Sequence, residues 1–323
     1  MTNRSGQGRR TKRVLEQDLS DTLWGTMIIE FGDHLRTNRQ LSTYTVRNYT
    51  SDIASYAEFL RLRRVSDLDK TDRRFFRDYL AWLLELGYVK SSVSRKLTAL
   101  RAFYEFLGDR GDIKRDQTDL ITSPRLDRRL PVVATRREIE ILLATPDTAT
   151  DIGTRDRAIL EVLYSSGLRV AEICSLDVGD IDFKFRELRV VGKGDKERIA
   201  LLGKPAVIAL TEYVDRTREE LANRQSQTAL FLNRYGGRLS TRSVERLVKR
   251  YALQAGLDSN FHTHTLRHSF ATHLLDGGAD LRVVQDLMGH SSPATTQIYT
   301  YVSTEQARKV YLQSHPRGGG PAY

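Results

Sequence analysis

At 323 residues the chain exceeds one average domain, and two separately folded domains are the expectation. Lys plus Arg number 51 against 41 Asp plus Glu, a net charge of +10 that favours a polyanionic partner over an acidic or apolar one. The single Cys174 excludes an internal disulfide and a cysteine metal cage, and no run reaches the ~20 apolar residues of a membrane helix, so no membrane partner and a reducing, cytoplasmic address are expected. Residues 1–20 carry Arg4, Arg9, Arg10, Lys12 and Arg13 among Gly, Ser and Asn, which reads as a disordered basic arm, either a solvated tail or a contact for the polyanion.

From residue 21 to 110 apolar residues recur every three or four positions. The spacing predicts helices over about 22–37, 42–61, 71–86 and 91–107, the last with Val93, Leu97, Leu100, Phe103, Tyr104 and Leu107 on one stripe. A small helical bundle follows. Arg95, Lys96 and Arg101 lie on the fourth helix, where they form either a DNA-backbone face or an ordinary solvated one. Residues 111–133 lose the periodicity, with Gly111, Pro124 and Pro131 among charged residues, and read as an interdomain linker.

A second domain spans 134–315, followed by a flexible tail, 316–323. It opens with helical patterns at 136–145 and 154–166, ended by Gly167, and a short helix from about Arg169. Ile181 and Phe183, then Leu188, Val190 and Val191, then Ile199 and Leu201 alternate as strands, with a turn at Gly192-Lys193-Gly194-Asp195. Helices return at about 205–221, 241–255, 265–276, 281–288 and 303–313, where Ser303 and Gln306 are spaced as a capping box. The fold class is therefore mainly α with a small antiparallel sheet in the C-terminal domain.

Several polar residues in this second domain exceed what packing requires. Arg169 opens a helix, against its dipole. Lys193 sits at a β-turn that lacks the spacing of a phosphate-binding P-loop and, alone, is an ordinary turn. His264 and Arg267 are three apart on one helix face. His290 follows Gly289, and Tyr299 comes nine residues later. His264 and His268 are four apart, yet Thr265 replaces the glutamate of a zinc protease and no cysteine stands near, so no metal is expected and His268 and His273 read as structural.

Taken together, two Arg, one Lys, two His and one Tyr without an acidic cluster fit cofactor-free phosphoryl transfer to tyrosine. Without Mg²⁺, fixed cations must neutralise the phosphate, and the guanidinium fork of Arg suits two of its oxygens. A tyrosine, with a pKa near ~10, needs help to attack, which His264 is placed to give. Lys193 is the candidate acid for the departing 5′ oxygen, a role worth ~10²–10⁴ in rate.

These segments resemble the tyrosine recombinase family, and in detail its Xer-type members. The resemblance covers nearly the whole chain after residue 20, including YSSGLRVAEICSL (164–176), VVGKGDKER (190–198), HTLRHSFATHLL (264–275) and GADLRVVQDLMGHSSPATTQIYTYV (278–302). Residues 91–107 look like the last helix of the family's core-binding domain. The resemblance implies a catalytic set of Arg169, Lys193, His264, Arg267, His290 and the nucleophile Tyr299, with Glu172 supporting the site from behind. It also implies a clamp on double-stranded DNA, with four protomers on two sites: a homo-oligomer, or a heterotetramer with a paralogous recombinase, under the control of a septal DNA translocase or without one. The C-terminal helix would pass between protomers. Tyr301 stands where close relatives usually have His, leaving a second hydroxyl near the nucleophile. Chromosome dimer resolution is the implied role. The alternatives are a phage or mobile-element integrase, a type IB topoisomerase-like enzyme, or an inactive architectural DNA-binding protein.

Overall fold

The structure is a computed structural model that describes residues 23–116, 118–122, 133–192, 197–224, 226, 228–289 and 304–319. Contacts divide the chain into two compact units, residues 1–129 and 130–323. Among the described residues no helix is long and apolar enough to cross a membrane.

The first unit holds α1 (Leu23–Thr37), α2 (Thr43–Leu62), α3 (Arg73–Glu85) and α4 (Lys90–Arg110). Side-chain caps decide where these helices start. Ser42 Oγ accepts the Thr45 N–H (3.3 Å), and Asp72 Oδ1 accepts the Phe75 N–H (2.7 Å), each meeting one of the donors that a first turn leaves open. The apolar stripes close over Phe31, Tyr56, Phe76, Tyr79 and Phe103. Within that core the Tyr104 hydroxyl bonds those of Tyr56 (2.7 Å) and Thr71 (2.9 Å), so these two rings have their polar tips satisfied, whereas the buried Tyr79 hydroxyl has no partner among the described residues. Packing runs past Arg110 into the segment read as linker: Ile113, Thr118 and Ile121 are buried against this bundle.

The second unit comprises α5 (Arg136–Ala144), α6 (Asp151–Ser166), α7 (Val170–Ser175), β1 (Ile181–Asp182), β2 (Glu187–Val191), β3 (Glu197–Leu201), α8 (Lys204–Glu212), α9 (Arg218–Leu221), α10 (Thr241–Gln254), α11 (Thr263–Asp276), α12 (Leu281–Met288) and α13 (Thr304–Ser314). The strands form one antiparallel sheet in the order β1-β2-β3, with Val190 opposite Arg198. Phe183 falls beyond β1, and the single helix expected over 205–221 is interrupted by a π-helical turn, Tyr213–Thr217. Almost every residue of α6 from Gly153 onward is buried, which makes it the central post of the unit.

The C-terminal helix α13 docks on the second unit. Ser165 Oγ lies 2.7 Å from the Tyr311 hydroxyl, which donates to the Ser165 carbonyl at 2.9 Å. His315 then sits among the rings of Tyr164, Phe270 and Tyr311, its Nδ1 accepting the Arg317 N–H at 3.1 Å. Ser303, the expected cap of this helix, lies outside the described residues.

Burial, and then the neighbouring His273, lower the His315 pKa to about 3. An unfolded histidine titrates near ~6.5, so on acidification the unfolded chain binds a proton that the folded chain refuses. The contribution of a neutral His315 is therefore full above about pH 6.5 and is lost progressively toward the folded value, at up to ~1.4 kcal/mol per pH unit. Chemical denaturation between pH 6.5 and 4.5 is expected to show a shallower loss of stability for His315→Gln than for the wild type. Parallel curves would refute the assignment.

Candidate active site

The end of α6 sets the site's first wall. Gly167, at φ +59°, turns the chain in the left-handed region, and a Cβ there would come within 2.4 Å of the Phe270 ring. The turn frees the Gly167 carbonyl, which accepts from Arg267 Nη1. Two residues later Arg169 caps α7, and its own N–H donates to Glu172 Oε2 at 2.8 Å, which fixes Glu172 at the helix start.

Arg267 lies in the second turn of α11. That helix begins before the position expected from periodicity, because His262 Nδ1 accepts the Thr265 N–H at 3.2 Å and acts as its cap. His264, in the first turn, is exposed, whereas Arg267 is 7% exposed. His273, on the same helix, is buried with Nδ1 2.9 Å from the Tyr164 hydroxyl.

The third wall is the end of α12. Gly289, at φ +64°, terminates it, and three consecutive carbonyls there are taken by three arginines from different elements. Arg198 Nη1 donates to Leu287 O (3.1 Å), Arg267 Nη2 to Met288 O (2.6 Å) and Arg169 Nη2 to Gly289 O (3.3 Å). The open carbonyls of a helix end carry partial negative charge and suit such donors. They orient the guanidinium groups without neutralising them.

Glu172 is the carboxylate within this cluster. Its Oε1 accepts from Arg169 Nη1 and its Oε2 from Arg198 Nη2, both at 2.9 Å. Among the described residues, three guanidinium cations thus face one carboxylate. Burial, then the adjacent Arg169, lowers Arg267 to about 10, still far above neutral pH, so it keeps its charge. Burial likewise lowers Arg198, with Glu172 opposing the shift. The Arg169 side chain, 41% exposed, is the most open of the three.

Arg169, Glu172 and Arg267 are therefore brought together, and His264 stands one helical turn from Arg267. Lys193, His290, Tyr299 and Tyr301 lie outside the described residues; in sequence Lys193 falls between β2 and β3, directly after Gly192, and His290 follows Gly289. Arg198 was not singled out by its sequence. Its strand alternates Arg198 and Ala200 inward with Ile199 40% exposed, so an arginine at an inward strand position was the available signal.

In the first unit the three basic residues of α4 differ. Arg95 pairs with Asp52 while its side chain stays 43% exposed. Lys96 is buried, donating to Asp52 Oδ1 (3.1 Å) and Ser55 Oγ (2.9 Å). Arg101 Nη2 donates to the Ile121 carbonyl at 2.5 Å.

Residues 133–306 match the phage integrase family, and residues 28–111 match the phage integrase N-terminal SAM-like domain. Tyrosine recombinase XerD of Staphylococcus epidermidis is 40% identical over 292 residues, covering 90% of this chain and 99% of that protein. Tyrosine recombinase XerC of Natranaerobius thermophilus is 40% identical over 295 residues, covering 90% and 98%. In backbone the chain resembles the XerH site-specific recombinase bound to difH substrate, with a TM-score of 0.64 at 20% identity over 92% of this chain and 93% of that one. A lambda integrase (75–356) dimer bound to a COC′ core site gives a TM-score of 0.66 at 19% identity, covering 86% and 98%. Both chains share this fold. With a family match across most of the second unit and relatives this similar along nearly their whole length, the chain belongs to the phage integrase family and is a tyrosine recombinase, an enzyme that cuts and rejoins DNA.

Proposed function

We propose that Arg169 and Arg267, within the arginine cluster, form the phosphate clamp of this recombinase and that Tyr299 is its nucleophile. The observation that carries the reading is the charge imbalance among the described residues: three guanidinium groups, held by consecutive helix-end carbonyls, against the carboxylate of Glu172. A DNA phosphodiester supplies the missing negative charge. Arg169 and Arg267 hold its non-bridging oxygens and stabilise the charge that builds as the bonds exchange in line. His264 accepts the proton of the tyrosine hydroxyl as it attacks, and His290, one residue beyond the Arg169-bound Gly289 carbonyl, donates to the phosphate.

Attack by the Tyr299 oxygen on phosphorus forms a 3′-phosphotyrosine and breaks the bond to the 5′ oxygen, which takes a proton from Lys193. The reverse step, with a 5′-hydroxyl from another strand, joins new partners. The bond energy is kept in the phosphotyrosine, so neither ATP nor a metal cofactor is needed. The substrate is double-stranded DNA carrying a specific site, in the cytoplasm. Four protomers hold two sites, either all copies of this chain or two beside two of a paralogous recombinase, and a septal DNA translocase is a candidate activator. Arg95 contacts the DNA backbone, where its partial exposure favours it over Lys96 and Arg101. The similarity to relatives named XerD and XerC supports chromosome dimer resolution as the role.

A substrate whose bridging 5′ oxygen is replaced by sulfur tests the acid, because a thiolate leaves without protonation. Lys193→Ala should cut normal DNA ~10²-fold or more slowly and regain most of that rate on the sulfur substrate. Equal slowness on both substrates would remove Lys193 from the role. A two-site exchange assay run beside plasmid relaxation separates recombination from topoisomerase-like swivelling.

A further inference from the structure

Arg198 occupies a position that neither its strand nor its burial explains. On β3 it faces inward opposite the buried Val190, where an apolar side chain would be the ordinary choice. Its Nη2 donates to Glu172 Oε2 at 2.9 Å and its Nη1 to the Leu287 carbonyl at 3.1 Å. The Nε is buried and has no partner among the described residues. Gly289 leaves room for this side chain, since a Cβ there would lie 2.6 Å from that Nε. A guanidinium thus bridges the start of α7 and the end of α12, from the strand that follows Lys193 in the chain.

Both outer nitrogens of Arg198 are engaged, and its side chain is only 16% exposed, so it is poorly placed to reach a phosphate. Its partners, by contrast, lead directly to groups that are. Glu172 offers its other oxygen to Arg169, and the chain runs from Leu287 through Gly289 to His290. We propose that Arg198 is a positioning residue for strand cleavage: it fixes the Glu172 carboxylate against Arg169 and holds the helix end that immediately precedes His290 in the chain. A lysine cannot replace it fully, because one ammonium does not span two acceptors on different elements as the rigid fork does. The inference rests on Arg169 and His290 belonging to the catalytic set.

The experiment compares Arg198→Gln, Arg198→Lys, Glu172→Gln, the Arg198→Gln/Glu172→Gln double variant and Arg169→Ala. For each, single-site DNA affinity is measured by gel shift, and covalent-complex formation on a nicked suicide substrate is timed at saturating protein. Arg198→Gln is expected to bind within about threefold of wild type and to cut ~10- to 100-fold more slowly, the range for a residue that orients a reacting group from behind. Arg198→Lys should fall between Arg198→Gln and wild type. The double variant should cut at about the rate of the slower single variant, since the two residues act through one contact. Wild-type cleavage by Arg198→Gln, or slowdowns that multiply in the double variant, would overturn the proposal. If Arg198→Gln does not fold, Arg198→Lys carries the test, and wild-type cleavage by it would be equally decisive. Unimpaired cleavage by Arg169→Ala would instead remove the clamp reading itself.

Discussion

Tyr299→Phe is expected to bind its DNA site within a few fold of wild type and to form no covalent adduct on a nicked suicide substrate. The substitution removes one oxygen, the atom that attacks phosphorus, and leaves the ring to pack as before. No other group in the proposed site can replace it, because the arginines are cations and the histidines serve as proton carriers. The effect should therefore be total within detection, a larger loss than any variant that only weakens stabilisation of the transition state. Tyr301 is the necessary control, since it presents a second phenol two residues away. Tyr301→Phe should still form the adduct, and the reverse pattern would move the nucleophile to Tyr301.

The second large effect is expected at the clamp. Arg169→Ala and Arg267→Ala should each slow cleavage by at least ~10²–10³, the loss found when one preorganised donor to developing charge is deleted. The two variants differ in what else they disturb. Arg267 is buried and satisfies the carbonyls of Gly167 and Met288, so its removal leaves buried acceptors open and costs ~1–3 kcal/mol of stability as well. Arg169 is more exposed; it bonds one carbonyl weakly at 3.3 Å and pairs with Glu172 at 2.9 Å, but Arg198 still holds that carboxylate when Arg169 is removed, so Arg169→Ala should lose less stability than Arg267→Ala. Slow cleavage by a stable Arg169→Ala protein isolates the electrostatic role. Cleavage near the wild-type rate would remove Arg169 from the clamp.

Much of this fold was legible from apolar spacing. The stripe Val93, Leu97, Leu100, Phe103, Tyr104 and Leu107 is buried on α4, because a long amphipathic helix can hide such a stripe in only one way. Helix starts were less accessible. The beginning of α11 depends on His262 acting as a cap through Nδ1, a role that the residue type does not announce. The break at Tyr213–Thr217 was hidden too, for the residues on either side keep a helical pattern while the Tyr213 hydroxyl bonds Leu230 O and Leu232 N–H, both at 3.1 Å.

Charge was read least well where its partners are remote in sequence. Lys96 looks like part of a solvated or DNA-facing helix surface, yet Asp52, 44 residues earlier, draws it into the bundle. Arg198 escaped notice for a related reason. Ile199 and Leu201 suggest an ordinary alternating strand, which conceals that the inward set is Arg198 and Ala200, with an ion pair reaching back to Glu172. Arg169 and Arg267 were visible because they stand in dense motifs, but neither motif indicates that both meet at the end of α12. That convergence is set by Gly167 and Gly289, whose left-handed turns expose the carbonyls that the arginines take.

The most direct measurement is the identity of the residue joined to DNA. Wild-type protein would be incubated with a nicked suicide substrate in excess chelator, denatured, digested with protease and nuclease, and the nucleotide-bearing peptide sequenced by mass spectrometry. An adduct in undiminished yield is expected, with a 3′-phosphate esterified to Tyr299. An adduct on Tyr301 or any other residue, or one that vanished with chelator and returned with Mg²⁺, would contradict it.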